Sequence, residues 1–281
     1  MNGRFVVSLL TDYGLKDGFV GVVHSVLRRR APDAPIVDLT HGIARQDVRA
    51  GSLALLRAAP YLADGAVVGV VDPGVGTPRS MVAVETVGAG GGPLFFVGPD
   101  NGLFPLALEA LGGASAAVVL EDRGYWLPAK GPTFAGRDVF APAAAELARG
   151  ARLADLGAPT DPANLVLLGR PGVSRHDDGS LECEVTWVDC FGNVQLSATG
   201  ADLAGVGSWY EVSTARGGSA VLATRARTFA DLAGGQLGVL VDSEGQAALC
   251  LNRGDAAGAL GLAEGDVLSM RPAPAGNAGR S

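Results

Sequence analysis

The stretch Phe5–Arg30, FVVSLLTDYGLKDGFVGVVHSVLRRR, decides the fold class. Phe5–Leu10 is a short apolar run suited to a buried strand. Thr11-Asp12-Tyr13-Gly14 then breaks it with polar and turn-forming residues, and Gly18–Arg30 carries helix-like apolar spacing. A strand, a polar turn and a helix in immediate succession form the repeating unit of an α/β domain.

Working outward, further strand-like runs occur at Ile36–Leu39, Ala66–Val71, Met81–Val84, Leu94–Val97 and Ala117–Leu120. Helix-like stretches at Val48–Ala59, Pro105–Leu111 and Phe140–Ala148 alternate with them, with Asp47 and Asp138 as candidate N-caps. The pattern predicts an α/β domain with a largely parallel sheet over residues 1–160. From about Arg175 the helical period fades. Leu181–Val188, Val194–Leu196, Tyr210–Val212, Ala220–Ala223, Leu237–Val241, Ala247–Leu251 and Val267–Met270 read as short strands separated by Gly, Asp and Asn turns. That spacing suits an antiparallel β-barrel domain over 175–270. The Pro/Gly-bearing stretch 161–174 is expected to link the two domains. Residues 271–281, RPAPAGNAGRS, are expected to form a disordered tail.

Composition narrows the function classes. The chain of 281 residues is 48% hydrophobic and 18% charged, which excludes an intrinsically disordered protein. Its net charge of −7 gives no counterion-release drive toward a phosphate backbone, so no nucleic-acid partner is expected. Glycine contributes 42 residues, about twice the usual ~7%, without a Gly-X-Y period, so it belongs to turns and close backbone approaches. Three cysteines and three histidines fall in no metal-ligand spacing, and no metal is expected. His24 reads as a satisfied core residue of an apolar helical stretch, His41 as a local one, and His176 lies in a polar Arg-His-Asp-Asp loop. With no apolar run of ~18 residues and no leader-like opening, the reading is a cytoplasmic protein without a membrane partner.

Chemistry concentrates where strands end, because open α/β sheets bind ligands beyond the carboxyl ends of their strands. Asp12 follows the first strand. It is placed either to accept hydrogen bonds from a ribose diol or to form a turn capping the next helix. Val70–Arg79, VVDPGVGTPR, ends a buried strand in Asp72 and reaches Arg79 through a glycine-bearing loop. This is either a ligand loop with a fixed Asp–Arg pair or a plain turn with a surface ion pair. Gly131–Asp138, GPTFAGRD, leads into a helix, and Gly98–Gly102, GPDNG, has the same strand-then-turn character. In the second half, Asp189–Val194, Asp242–Gly245 and Leu251–Gly254 are polar hairpin turns, which are ordinarily solvated.

Together LTDYGLKDGFVGV, VDPGVGTPRS, VGPDNGLF, PTFAGRDVFAP, DCFGNVQ and DSEG…LNRG resemble, in order and spacing, the S-adenosylmethionine (SAM) hydroxide adenosyltransferases. These are adenosine-forming SAM hydrolases related to the fluorinase and chlorinase. The resemblance runs from about Val6 to about Met270. It implies an α/β domain followed by a β-barrel, and a homotrimer with SAM held between neighbouring subunits. By position, Asp12 matches the ribose-diol acceptor. Asp17, Asp189 and Ser243 match residues holding the methionine amino and carboxylate groups. Asn193 matches an adenine contact, with Asn252 and Arg253 closing around the base. Asn101, Phe134 and Phe191 fall in the same binding motifs. Gln46 stands where the halogenases carry tryptophan, and Gly136 where they border the halide.

Asp72 and Arg79 match two members of an Asp-Arg-His set that orients the attacking water. The third position reads Ala135 in place of the hydrolase histidine and of the halogenase tyrosine. The resemblance therefore implies water attack on the 5′ carbon of SAM, giving adenosine and methionine without a cofactor, weakened by Ala135. A catalytically silent SAM- or adenosine-binding module and a halide-using transferase are the alternatives. Asp72 argues against the transferase, since the halogenases lack that aspartate. A dinucleotide-dependent oxidoreductase lacks its glycine fingerprint here.

Overall fold

The computed structural model describes residues 5–204, 207–214 and 220–273, in two compact units that divide between Leu168 and Gly169. The first contains strands β1 (Val6–Thr11), β2 (Ile36–Thr40), β3 (Gly65–Val70), β4 (Met81–Val87), β5 (Pro93–Pro99), β6 (Ala116–Val119) and β7 (Ala158–Thr160). They form one sheet in the order β2-β1-β3-β5-β4-β6-β7. The first four of that order run parallel, and β4, β6 and β7 extend the sheet antiparallel.

The parallel centre follows from its sequence. β3 reads GAVVGV and is buried at every position, as a strand covered on both faces must be. Helices α1 (Phe19–Arg30) and α4 (Ala141–Ala148) cover one face, packing Val23, Val26, Leu27 and the alanines of α4 on Val7, Leu9, Val68 and Val97. Helices α2 (Val48–Ala58) and α3 (Pro105–Ala110) cover the other, packing Leu55 and Leu108 on Leu10, Val67, Leu94 and Phe96. Successive strand residues thus serve opposite cores.

Caps divide between expectation and correction. Asp47 caps α2, its side chain accepting the Ala50 N–H at 2.8 Å. Asp138 caps nothing. It lies inside a π-helical turn, Gly136–Phe140, that runs on into α4, and its carboxylate is taken by Arg137. Asp12 does not cap α1 either, which begins at Phe19 with Gly18 at the N-cap and no side-chain cap.

The second unit holds β8 (Val173–Arg175), β9 (Leu181–Val188), β10 (Val194–Thr199), β11 (Trp209–Thr214), β12 (Val221–Arg225), β13 (Leu237–Val241), β14 (Gln246–Leu251) and β15 (Val267–Pro272), with a short helix α5 (Ala256–Leu260). The order β10-β14-β13-β12-β11-β15-β9 closes through β9–β10 into a seven-stranded barrel, and β8 adds to β9. Its core includes Val185, Leu196, Tyr210, Val239, Leu249 and Met270. The barrel is mixed rather than wholly antiparallel, because β12 and β13 pair parallel. The segment between them, with a turn of 3₁₀ helix at Phe229–Asp231, is long enough to bring the chain back in the same direction.

Within 161–174, a 3₁₀ turn covers Pro162–Asn164, and β8 begins at Val173. Of the tail 271–281, Arg271 and Pro272 belong to β15 and Ala273 is buried. Residues 274–281 lie outside the described residues.

At Gly65 the β1–β3 seam leaves no room for a side chain. Its φ of +138° is open essentially to glycine alone, and a Cβ would run into the Val6 carbonyl. Gly65→Ala is expected to lower stability by roughly 1–3 kcal/mol or more. Urea unfolding checks this, and a midpoint equal to that of the parent chain would contradict it.

Candidate active site

The parallel strands bring their carboxyl ends together. Asp12 leaves β1, Asp72 stands two residues beyond β3, and Asn101 stands two beyond β5. Asn101 donates through Nδ2 to the Val71 carbonyl at 2.8 Å, linking the second and third of these ends. Asp12 Oδ2 accepts the Gln46 N–H at 2.8 Å, which anchors a residue held at φ +65° in the left-handed region.

At the centre Arg79 grips Asp72 in a two-pronged fork. Nε donates to Oδ1 at 2.7 Å and Nη2 to Oδ2. The two side chains are only 12% and 5% exposed, so the pair is buried rather than the surface contact of a plain turn. The loop between them is built to close. Val75 donates to the Asp72 carbonyl, Thr77 Oγ1 to the Gly74 carbonyl at 2.7 Å, and Gly76 takes φ +80°. Arg79 also lies 5.7 Å over the Phe140 ring.

Tyr13, not assigned a role from sequence, belongs to this site. Its ring packs with Phe19 and Phe134, at centroid distances of 5.6 and 5.7 Å. Its hydroxyl is pressed against Gly136, where a Cβ would collide with it. Burial, with the carboxylates of Asp12 and Asp72 adding to it, holds the phenol well above its ordinary pKa. Tyr13 therefore keeps its proton well above neutral pH. Its position directly after Asp12 was the available signal. Phe134 stacks in the same trio and carries the Arg137 guanidinium 5.0 Å from its ring. Ala135 shares the wall of a cavity of about 610 Å³ with Arg79 and Asp138. Asp17 is exposed ahead of α1.

The second unit assembles another set. Asp189 folds its own loop, Oδ1 accepting the Phe191 and Asn193 N–H groups at 2.9 Å and Oδ2 accepting Asn193 Nδ2 at 2.8 Å. Asp242 does the same for Glu244 and Gln246 and accepts Gln195 Nε2 at 2.7 Å. Asp189, Asn193 and Ser243 line one cavity of about 420 Å³, together with Trp187, Phe229 and Arg227. The two aromatic side chains were not foreseen, because nothing in their spacing joins β9 to the turn before β13. Phe191 is 75% exposed and, like Asn252 and Arg253, is not part of that lining. Asn252 turns inward to the Leu232 carbonyl, and Arg253 takes φ +59°.

The histidines depart from expectation. His24 is no core residue: its ring is one-third exposed and meets Asp38, which His41 also approaches. His176 takes no part in that cluster. Residues far apart in sequence are joined here by the α1–β2 packing.

Comparison with known proteins now decides the family. A model of the SAM hydroxide adenosyltransferase N-terminal domain matches residues 7–157, and one of the C-terminal domain matches 183–269. The chain belongs to this family. Within it, a protein of Salinispora tropica named (R)-S-adenosyl-L-methionine hydrolase is 48% identical over 94% of this chain and 97% of its own. A protein of the same name from Thermus thermophilus is 41% identical over 92% and 96%. A fluorinase of an Actinoplanes species is more distant, 26% identical over 89% and 92%. Among solved structures, an uncharacterised conserved protein of Thermotoga maritima superposes with a TM-score of 0.84. It is 32% identical and covers 95% of this chain and 100% of its own. The fold expected from the motif resemblance, an α/β domain followed by a barrel, is the one observed.

Two predictions follow from the geometry. Arg79→Met leaves Asp72 buried without its partner and is expected to cost about 3–5 kcal/mol. Adding Asp72→Asn should return part of that loss in a double-mutant cycle; strict additivity of the two changes would refute the coupling. Tyr13 keeps its proton in the folded state where the unfolded chain loses it. Its contribution to stability is therefore full below about pH 10 and is lost as pH rises beyond that value. Denaturant titrations from pH 8 to 11 should show a decline, to which the buried thiols of Cys183 and Cys250, also pushed up by burial, contribute. Tyr13→Phe should make it shallower above pH 10.

Proposed function

We propose that this chain hydrolyses SAM at the 5′ carbon, releasing adenosine and L-methionine. The buried Asp72–Arg79 fork beside Asp12 carries the reading, supported by full-length relatives at 41–48% identity that bear the name (R)-S-adenosyl-L-methionine hydrolase. From those names the proposal takes the R configuration at the sulfonium.

Asp12, at the end of β1, accepts the ribose hydroxyls, since an ionised carboxylate is acceptor-only. Asp72 has two acceptor positions left after the fork and holds the attacking water. Arg79 is a positioning residue that fixes Asp72. The water oxygen forms a bond to C5′, and the C5′–S bond breaks with its electron pair passing to sulfur. Methionine leaves as a neutral thioether that needs no protonation, and the proton lost by water passes through Asp72 to solvent. The work is alignment and exclusion of bulk water, and the reaction as written needs no cofactor.

The 420 Å³ cavity, apolar over most of its wall with Asp189, Asn193 and Ser243 as polar contacts, suits the adenine and amino-acid ends of SAM. A homotrimer in which neighbouring subunits supply the two sets of residues belongs to the same proposal, and light scattering tests it. A cytoplasmic location also belongs to it, supported by three free cysteines. Among the described residues no helix is long and apolar enough to cross a membrane.

The decisive experiment incubates the protein with separated SAM epimers in ¹⁸O-water. The expected products are methionine and adenosine labelled at the 5′ oxygen, formed faster from the R epimer. Ala135→His, which has the cavity beside Arg79 to enter, is expected to raise kcat by ~10²–10⁴. Binding of SAM without product from either protein would establish the silent binding module. A halogenated nucleoside formed in chloride or fluoride would overturn hydrolysis.

A further inference from the structure

Behind the strand that delivers Asp12, three metal-ligating side chains converge. His24 comes from α1, Asp38 from the edge strand β2, and His41 from the residue just beyond it. Both imidazoles turn Nε2 to the same carboxylate oxygen: His24 lies 2.8 Å and His41 3.1 Å from Asp38 Oδ1. The three ligand atoms all lie within 4.8 Å of one another.

A simple hydrogen-bonded cluster accounts for His24 but not for His41. The His41 side chain is only 4% exposed, and its Nε2 has no hydrogen-bond partner despite the nearby carboxylate. A nitrogen close to an oxygen yet not aligned with it is an arrangement that two ligands of one ion adopt, since each lone pair points to the shared centre. Ligands ~2.0–2.2 Å from a common ion stand roughly 2.8–3.6 Å apart in octahedral or tetrahedral geometry, and both measured separations lie in that range.

The other ring nitrogen supports the same reading. His41 Nδ1 is 2.8 Å from Thr11 Oγ1, a buried contact that fixes the ring. In the tautomer that donates Nδ1–H to Thr11, Nε2 presents a lone pair toward a carboxylate, an arrangement that a cation shared by the two groups makes favourable. Metal-bound histidines ordinarily hold their second nitrogen by such a contact. The His24 and Asp38 side chains, 32% and 41% exposed, leave the centre open to solvent and to water ligands.

We propose that His24, Asp38 and His41 bind a divalent transition-metal cation. Two imidazoles and one carboxylate select zinc, nickel or cobalt over magnesium and calcium, which prefer all-oxygen sites. The ion clips α1 to β2. Through His41 and Thr11, whose Oγ1 also accepts the Tyr13 N–H at 3.2 Å, it steadies the turn that carries Asp12. This site lies apart from the reaction proposed above and does not depend on it.

The test is calorimetric titration of the tag-free full chain with Zn²⁺ at pH 7.5, with Mg²⁺ in parallel. One Zn²⁺ per chain at micromolar affinity is expected, with no heat from Mg²⁺. His24→Gln and Asp38→Asn, two solvent-reaching changes, should each weaken binding roughly tenfold or more and abolish the rise in Tm that Zn²⁺ gives the parent chain. No binding by the parent chain at millimolar Zn²⁺, or equal affinity in a cooperatively folded variant, would overturn the site.

Discussion

The N-terminal unit depends on a buried guanidinium–carboxylate fork. Asp72 stands at the end of a strand with no exposed residue, and its ionised carboxyl is tolerable there only because Arg79 supplies two donors in matching geometry. The requirement shapes the loop between them. Eight residues must leave the strand, turn, and return a long side chain to their own starting point. Two prolines, the left-handed Gly76 and the Thr77–Gly74 contact accomplish this. The fork also faces the helix that follows Gly136, through the Phe140 ring.

Around the fork, acidity is concentrated rather than dispersed. Asp12 and Asp72 act on the Tyr13 phenol, which burial already keeps protonated. Their closeness has a physical use if the substrate carries a positive sulfonium, because fixed carboxylates in a poorly solvated site attract it strongly. Asp12 is also spent on Gln46, whose left-handed backbone needs that anchor. The barrel follows a related economy. Asp189 and Asp242 each accept three hydrogen bonds, mostly from their own turns, leaving about one acceptor position on Asp189 for a ligand. There the aromatic walls, Trp187 and Phe229, offer stacking surface in addition to polar contacts.

Ala135 marks the chain's departure from its family's motif. The alanine leaves space beside Arg79 and no polar group, while the fork and the packing of Phe134 persist without it. Loss of a third polar member is thus compatible with an intact fold, since removing atoms from a cavity wall creates no clash.

Much of this was legible in the order of residues. The Ala66–Val71 run read as a buried strand, the turn after Leu10 placed Asp12 at a strand end, and six motifs in register indicated the family and the two-part architecture. Asp47 was readable as a cap because an N-cap is a local device. Asp138 looked the same locally, yet became an interior residue of a π turn because Arg137 beside it took its carboxylate. Other features had no local signature. The parallel β12–β13 pair depends on where a long connection returns, and Trp187 and Phe229 come to line one cavity only through the barrel's closure. His24, Asp38 and His41 converge because α1 packs beside β2. The sequence by itself determined the elements, their order and the chemical groups at their ends, because periodicity and turn chemistry act over a few residues. Tertiary structure alone decided which of those groups meet and which are buried, since both depend on contacts between segments whose separation along the chain carries no record of them.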